Sequence, residues 1–422
     1  MPLKRLLVIS PLFTVNAPQP ARFRELVSRW SSSYDITVLS FDTGQKDLVT
    51  RIGAEAAMMK FNALGKILIG SRLSSNVRNY QGLMTVRDRN RGRFRLWMKK
   101  IHINRLFFPD VFIVEYLNIK RHLMALVEKN HPETVIFSTA PFTLFLLAGH
   151  LRRKFPQIQI VVDTGDPLYG DSSAYSGRLM HRLFAGRVER ACLSSTDLLV
   201  VPTLILKKHY LKCYGDVLPE GRAAVIENGI SEVFTCIPDG RADRSAPFRM
   251  VYAGRFYKSM RDPSELYRAV TLFPSGEIKL KIFGNIQEEY KPPATDTRFV
   301  IGGPVSAVEL ALEYEHSDLV VFLDNAYGVQ VPGKVYEVLA VNRPVLYIYR
   351  DTASPSYELL KDHDGIVMVQ NNCNDIAAGI KQAMNFKAGP KYGRSSDRYT
   401  FDVLAARYRD LLEDLNARDS ST

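Results

Sequence analysis

A Pro-Gly-Lys turn with a glutamate one helical turn later is suited to hold a phosphorylated ligand. It lies in VPGKVYEVLAVNRPVL, residues 331–346. Gly333 and Lys334 fall at the start of a predicted helix, where unpaired backbone N–H groups can bind an anion. Glu337 lies on the same helical face and would repel a phosphate, but it could accept hydrogen bonds from sugar hydroxyls. The stretch therefore indicates a nucleotide site, with an exposed Lys–Glu helix pair as the alternative.

Cations follow the first predicted strand in the second half of the chain. In VYAGRFYKSMRD, residues 251–262, Arg255 lies at the end of the strand, with Lys258 and Arg261 close behind. A guanidinium fork with a second cation matches a pyrophosphate, and a basic surface loop is the alternative. Gly284 ends the next predicted strand, where the missing Cβ would let a base or phosphate approach. Ligands of doubly wound sheets bind at the carboxyl ends of the strands, so these residues belong at one edge.

The elements that must position these residues are short apolar runs separated by helical patterns. Most of the runs lack polar alternation, as expected for strands buried on both faces of a parallel sheet. The predicted strands are 3–10, 35–41, 133–139, 158–166, 197–203, 223–229, 248–256, 278–285, 298–305, 318–325, 343–350 and 365–371. Because strands and helices alternate in both halves, the predicted fold class is α/β, with two doubly wound sheets.

A chain of 422 residues is too long for a single core, so we expect two domains. The polar, turn-rich stretch at 228–248 contains the boundary. After the last strand, apolar residues recur at helical spacing in a closing helix that needs a surface to cover. The predicted parts are a first domain at 1–236 with a helical insertion at 46–130, a second domain at 237–396, and the closing helix within 397–422.

Composition favours a cytosolic enzyme. The chain has 46% hydrophobic and 24% charged residues, as in ordinary globular proteins. Its four cysteines lie far apart without nearby histidine pairs, which argues against zinc and against a disulfide framework. The first residues have too short an apolar run for a signal peptide, and no stretch is long enough to span a membrane. We therefore expect a soluble or peripheral protein that needs no metal.

The net charge of +12 is not evenly spread along the chain. RDRNRGRFRLWMKK, residues 87–100, contains seven basic residues, one acid, and the aromatic residues Phe94 and Trp97. Three interpretations remain open: a solvated face, an anionic membrane or phosphate-bearing acceptor, and nucleic acid. No RNA- or DNA-binding motif accompanies the cluster.

The whole pattern resembles the retaining glycosyltransferases of family 4, which have the GT-B fold of two Rossmann-like domains facing a central cleft. The resemblance covers nearly the whole chain: the first strand with PARFRELVSRW after it, VIENGISEVF, the strand–Gly–Arg of VYAGRF, the block SDLVVFLDN…PGKVYEVLAVNRPVL, and the closing helix. In such enzymes the last helix crosses back onto the first domain.

For the donor, the resemblance implies a nucleoside-diphosphate sugar held by the second domain. Arg255, with either Lys258 or Arg261, would hold the diphosphate. The backbone at Gly333 and Lys334 would complete the diphosphate-binding site.

The acid at 337 matches the second acid of the family's Glu-x7-Glu motif, which binds the ribose hydroxyls. The first acid would fall at 329, where this chain has Val329. The carboxylate contact to the donor sugar is therefore missing or displaced to Asp324 or Gln330.

The first domain would hold the acceptor. VVDTGDPLYGDSS, residues 161–173, ends a strand with Asp163 and Asp166, and it resembles a turn that faces the cleft in many relatives. Asp166 could orient or deprotonate an acceptor hydroxyl, or it could cap the helix that follows. Thr139 precedes another helix start, where it could act as a cap or touch the acceptor.

The resemblance implies transfer with retention by same-face attack, without a metal or other cofactor. The acceptor would be a glycan or a polyprenyl-diphosphate-linked saccharide of a bacterial surface polymer, reached at the cytoplasmic leaflet, where residues 87–105 would contact anionic lipid. The alternatives are a nucleotide-sugar epimerase or a phosphorylase of the same architecture, and a non-catalytic sugar- or nucleic-acid-binding protein.

Overall fold

The computed structural model describes residues 3–15, 17–70, 107–170, 179–235, 247–256, 261–325, 331–386 and 396–419. The chain divides into two compact units. The first comprises Met1–Glu227 and Asp402–Thr422, and the second comprises Asn228–Phe401.

The first unit is built on a parallel sheet of seven strands. Its strands are β1 (Lys4–Ile9), β2 (Tyr34–Phe41), β3 (Glu55–Met59), β4 (Thr134–Thr139), β5 (Gln159–Thr164), β6 (Leu198–Val201) and β7 (Ala223–Val225). The spatial order is β3-β2-β1-β4-β5-β6-β7. The order reverses between β1 and β4, which is the topological switch point where doubly wound sheets bind ligands.

Helices connect these strands, as parallel neighbours require. They are α1 (Pro18–Trp30), α2 (Lys46–Arg51), α3 (Ala63–Gly65), α4 (Tyr116–Asn130), α5 (Phe145–Lys154), α6 (Leu179–Leu193) and α7 (Leu204–Tyr214). Helix α1 begins at a proline, which is favourable in the first turn, and it buries Phe23, Leu26, Val27 and Trp30. These four residues form the apolar face of the helix.

The second unit has six parallel strands in the order β10-β9-β8-β11-β12-β13. They are β8 (Phe248–Ala253), β9 (Ile278–Phe283), β10 (Phe299–Gly303), β11 (Leu319–Leu323), β12 (Val345–Tyr349) and β13 (Ile366–Gln370). The helices are α8 (Glu232–Thr235), α9 (Ser264–Thr271), α10 (Ala307–Glu315), α11 (Lys334–Ala340), α12 (Pro355–Leu360) and α13 (Cys373–Met384). The switch point of this sheet lies between β8 and β11.

The last helix, α14 (Phe401–Asp419), returns to the first unit. Its residues Ala405 and Tyr408 are buried against Trp30, whose Nε1 donates to the Ala405 carbonyl oxygen at 3.1 Å. The Trp30 and Tyr408 rings meet edge to face, with centroids 4.9 Å apart. The closing helix therefore covers the first unit, as the predicted fold requires.

The predicted fold class is confirmed, and all twelve predicted strands overlap observed ones. Strand β3 was missed, so the stretch 46–130 is not purely helical: its strand pairs with β2 and extends the sheet. Residues 71–106 of that stretch, including the basic cluster, lie outside the described residues. The unit boundary falls at 227, earlier than expected, because Ile230 and Phe234 pack in the core of the second unit.

No helix among the described residues is long and apolar enough to cross a membrane.

The carboxyl ends of β8 and β9 touch through their backbones. Gly284 has φ +130°, and a Cβ there would lie 2.2 Å from the carbonyl oxygen of Gly254. The Gly254 N–H donates to the Phe283 carbonyl oxygen, and the Gly284 N–H donates to that of Gly303. Backbone packing therefore requires glycine at 284. The sequence had instead suggested that the missing Cβ lets a ligand approach.

We expect Gly284→Ala to lower the free energy of unfolding by about 2–4 kcal/mol, because both the backbone conformation and the Cβ contact become unfavourable. Urea-induced unfolding measures the change. Gly221→Ala is the control, since a Cβ at 221 meets no atom within 4 Å and no positive φ is recorded there. Equal stability of the two variants would contradict this explanation.

Candidate active site

Two arginines follow β8 at the switch point of the second sheet. Arg255 comes two residues after the strand and is exposed. Arg261 donates from Nε to Oδ1 of Asn325, at 2.7 Å. Asn325 follows β11, so this hydrogen bond places Arg261 at the end of one of the two strands that flank the switch point. The edge therefore carries two guanidinium groups, the chemistry expected for a diphosphate.

Asp324 lies at the same edge, but its carboxylate is buried and fully engaged. It accepts hydrogen bonds from the hydroxyls of Tyr347 at 2.6 Å, Ser354 at 2.5 Å and Ser356 at 2.9 Å. Ser354 also caps α12. Asp324 therefore links β11, β12 and α12, and its burial (3% exposed) keeps it from a donor sugar at the surface. This corrects the expectation that it could replace the missing acid.

The Pro-Gly-Lys turn begins α11 as predicted, with Gly333 as the N-cap residue. A Cβ at Gly333 would meet no atom within 4 Å, so the space beside this backbone is open. Lys334 Nζ and Glu337 Oε2 form an ion pair at 3.1 Å, and each side chain is about one quarter exposed. Such a partly exposed pair contributes roughly 0.2–0.5 kcal/mol. A ligand could therefore displace it at little cost.

Three further residues of the donor prediction, Lys258, Val329 and Gln330, lie outside the described residues.

In the first unit, Asp163 forms a buried ion pair. Arg22 Nη1 donates to both carboxylate oxygens, at 2.9 and 2.8 Å, and Gln19 Nε2 donates to Oδ1 at 2.7 Å. The two charged side chains are 3% and 2% exposed. Asp163 was predicted to contact the acceptor, but the structure uses its carboxylate to fix α1 against β5, so we assign it a structural role.

Asp166 lies in the loop after β5 and is partly exposed. Its carbonyl oxygen accepts from the Thr164 hydroxyl at 2.7 Å and from Tyr210 Oη at 3.4 Å. Since the backbone is held in this way, the position of Asp166 at the carboxyl edge is well defined. Thr139, at the end of the neighbouring β4, is buried and donates to the Asp163 carbonyl oxygen at 3.4 Å, so it supports this edge from within.

Glu189 holds the rest of that loop. Its carboxylate accepts from the backbone N–H groups of Leu168 at 2.8 Å and Tyr169 at 3.2 Å. It also accepts from the hydroxyls of Tyr210 at 2.8 Å and Tyr214 at 2.7 Å. Burial raises the pKa of Glu189, and these hydrogen bonds oppose the rise. One buried carboxylate on α6 thus ties the Asp166 loop to α7.

Sequence reasoning missed Arg22, Glu189 and Asn325. The first two lie on the buried faces of their helices, Arg22 four residues before Leu26 and Glu189 between Ala185 and Cys192. A charged residue on an apolar helical face needs a buried partner, so this pattern was an available indication. Nothing in the local sequence marks Asn325.

Among the described residues, no group of three or more histidine, cysteine, aspartate or glutamate side chains is arranged to hold a metal ion.

Comparison with solved structures establishes the class of fold. Two doubly wound sheets, with polar residues at their carboxyl edges and a final helix on the first unit, define the GT-B fold, and structures of GT-B glycosyltransferases match this chain over nearly its full length. No family profile matches the sequence, and no curated protein matches it.

Three of the matching structures illustrate the range of the fold. Anabaena HepE in complex with UDP is 10% identical, with a TM-score of 0.66, over 98% of this chain and 100% of HepE. The lipopolysaccharide outer core galactosyltransferase WaaB is 12% identical, with a TM-score of 0.63, over 98% of this chain and 99% of WaaB. A Listeria monocytogenes protein described as a UDP-N-acetylglucosamine 2-epimerase is 11% identical, with a TM-score of 0.58, over 100% of this chain and 98% of that one.

We expect Glu189→Ala to lower the free energy of unfolding by about 2–4 kcal/mol, because four donors, three of them in buried hydrogen bonds, lose their acceptor. Thermal and urea unfolding measure the effect. Glu220→Ala is the matched control: its side chain is 81% exposed and pairs with Lys207 only at 3.9 Å. A Glu189→Ala protein as stable as the control would show that this carboxylate does not hold the loop.

Proposed function

We propose that the protein is a retaining glycosyltransferase of the family 4 type, which transfers a sugar from a nucleoside-diphosphate sugar to a saccharide acceptor. The observation that carries the proposal is the pair of arginines at the switch point of the second sheet, with Arg261 joined to Asn325 at 2.7 Å. The GT-B fold supports it, and so does the similarity to HepE, whose structure was solved in complex with UDP.

In this proposal the second unit binds the donor. Arg255 and Arg261 bind the diphosphate, Lys258 adds a third positive charge, and the open backbone at Gly333 and Lys334 completes the site. Glu337 accepts hydrogen bonds from the ribose hydroxyls in place of the weak contact with Lys334.

The acceptor contacts the edge of the first sheet through Asp166. This carboxylate is partly exposed, unlike Asp163 and Glu189, and the loop that carries it is fixed by Glu189. A fixed, partly exposed carboxylate is suited to orient an acceptor hydroxyl and to accept its proton.

The reaction proceeds by attack of the acceptor hydroxyl on the face of the sugar from which the diphosphate departs. The bond from the anomeric carbon to the diphosphate oxygen breaks, the bond to the acceptor oxygen forms, and the leaving diphosphate or Asp166 takes the proton. Negative charge grows on the diphosphate as the bond breaks, so the arginines bind the transition state more tightly than the ground state. These cations supply the charge compensation, and we expect activity to persist in a chelator.

The acceptor, in our proposal, is a lipid-linked saccharide of a bacterial surface glycan, reached at the cytoplasmic face of the membrane. The basic residues at 87–105 support this assignment, since clustered arginines and lysines bind anionic lipid. The lipopolysaccharide substrate named for WaaB is consistent with it.

Nucleotide-sugar epimerisation is the second candidate, because a protein described as an epimerase shares the fold. Incubation with labelled nucleotide sugars separates the candidates. A transferase releases nucleoside diphosphate and moves the label to the acceptor, whereas an epimerase changes the configuration of the sugar without net transfer. A protein that binds nucleotide sugars and changes none of them would contradict both. The anomeric configuration of the product, read by NMR, tests retention.

Replacing Arg255 by Ala should lower kcat, with a loss of about 2–4 kcal/mol of transition-state stabilisation. Steady-state kinetics over a range of donor concentrations measures the effect. Arg268→Ala is the control, because Arg268 is an exposed arginine of the same unit that pairs with Glu265 on α9. An increase in KM with kcat intact would show that Arg255 binds ground state and transition state equally.

Glu337→Ala should abolish or greatly weaken donor use at subsaturating concentrations, while the melting temperature stays within about 1 °C, because the lost ion pair contributes only a few tenths of a kcal/mol. Glu358→Ala is the matched control, since Glu358 forms the same type of i,i+3 pair with Lys361 at 2.9 Å. Unchanged turnover in Glu337→Ala would exclude the ribose contact.

A further inference from the structure

The first half of α6 is apolar on the side that faces solvent. Leu179 is 66% exposed and Leu183 is 51% exposed, and Met180 and Phe184 are exposed beside them. The opposite side of the helix is buried and carries the residues His181, Ala185, Glu189 and Cys192. At 100° per residue the four exposed apolar residues share one face with Arg187. A contiguous apolar face of this kind marks an interaction surface.

The exposed charged residues of α6 are all arginines. Arg187 lies over the Phe184 ring, 5.8 Å from its centroid, and Arg182 and Arg190 are exposed on the same helix. Arg190 pairs with Asp216, whereas Arg182 and Arg187 have no acidic partner among the described residues. The single acid of α6 is the buried Glu189. The face therefore combines large apolar side chains with guanidinium groups, which bind phosphate.

The position of the helix relates this face to the proposed acceptor site. Because α6 follows β5, its first half lies at the carboxyl edge of the first sheet, where Asp166 is found. Tyr169 of the Asp166 loop packs on Gly186, where a Cβ would lie 3.5 Å from the Tyr169 ring. Phe108 packs on the ring of His181, with centroids 4.9 Å apart. The segment that contains Phe108 therefore lies beside α6, and in sequence it follows the basic residues at 87–105.

We propose that the exposed face of α6, formed by Leu179, Met180, Leu183, Phe184 and Arg187, docks the first unit on an anionic lipid surface. The apolar side chains insert at the level of the headgroups, and the arginines bind lipid phosphates, as in interfacial amphipathic helices. A second copy of the chain fits this face less well, because a twofold contact would oppose arginines to arginines. This docking would bring a lipid-linked acceptor to the edge that carries Asp166, and in that respect it rests on the proposed function.

Helix α10 provides a matched contrast in the second unit. It exposes Val308 and Leu312, one helical turn apart, but its charged residues are the acids Glu309, Glu313 and Glu315. An anionic surface would repel α10 while it attracts α6. The two helices thus separate the effect of exposed apolar area from that of charge.

Sedimentation of the full chain with phospholipid vesicles tests the proposal. We expect binding to vesicles of phosphatidylcholine and phosphatidylglycerol at 7:3, weak binding to phosphatidylcholine alone, and weaker binding at high salt. Leu179→Ser with Leu183→Ser should lower the partition coefficient at least tenfold, and Arg182→Ser with Arg187→Ser should lower it severalfold. Val308→Ser with Leu312→Ser should bind like the unsubstituted protein. Equal melting temperatures, which are expected for substitutions of exposed residues, would show that the variants are folded.

Two outcomes would overturn the proposal. One is vesicle binding that is absent, or that is unchanged by both pairs of α6 substitutions. The other is self-association in sedimentation velocity that Leu179→Ser with Leu183→Ser abolishes, which would make the face an interface between copies. Release of nucleoside diphosphate from the donor, measured without vesicles, tests the proposed function separately. If the protein binds vesicles through α6 but turns over no nucleotide sugar, the docking face stands and the proposed enzymatic function is wrong.

Discussion

The buried ion pair between Arg22 and Asp163 is the interaction on which the first unit depends most. The same guanidinium donates to the carbonyl oxygens of Ile226 and Glu227. One side chain therefore joins α1 and β5 to the residues just after β7, where the chain leaves the first unit. Arg407 of α14 pairs with Glu227 at 2.8 Å, which ties the last helix to the same place. Loss of one partner of such a pair leaves an uncompensated buried charge and costs about 3–5 kcal/mol.

Burial distinguishes the acids that build the two carboxyl edges from those that solvent reaches. Asp163, Glu189 and Asp324 are buried, and each accepts three or four hydrogen bonds. They hold loops and strand ends in place, and most of their acceptor sites are used within the protein. Asp166 and Glu337 are partly exposed, and Glu189 holds the loop that carries Asp166.

This separation could not be read from the sequence. Apolar runs between helical patterns were sufficient to predict twelve strands, since a parallel sheet buried on both faces leaves a strong pattern. Strand β3, with the sequence EAAMM, lacks the β-branched and aromatic residues that favour strands, so its sequence does not predict a strand. Asp163 and Asp166 are three residues apart, and both were predicted to contact the acceptor. Only Arg22, 141 residues away in the chain, distinguishes their roles, and no local pattern reveals a partner at that distance.

The central claim is that the arginines at the switch point of the second sheet bind the diphosphate of a nucleotide. Isothermal titration calorimetry with UDP, GDP and ADP tests it most directly, with inorganic pyrophosphate as a competitor. The account predicts that at least one of these nucleotides binds and that pyrophosphate displaces it, because the diphosphate supplies the contacts to the guanidinium groups. Absence of binding by every nucleoside diphosphate, or binding that pyrophosphate leaves unchanged, would contradict it.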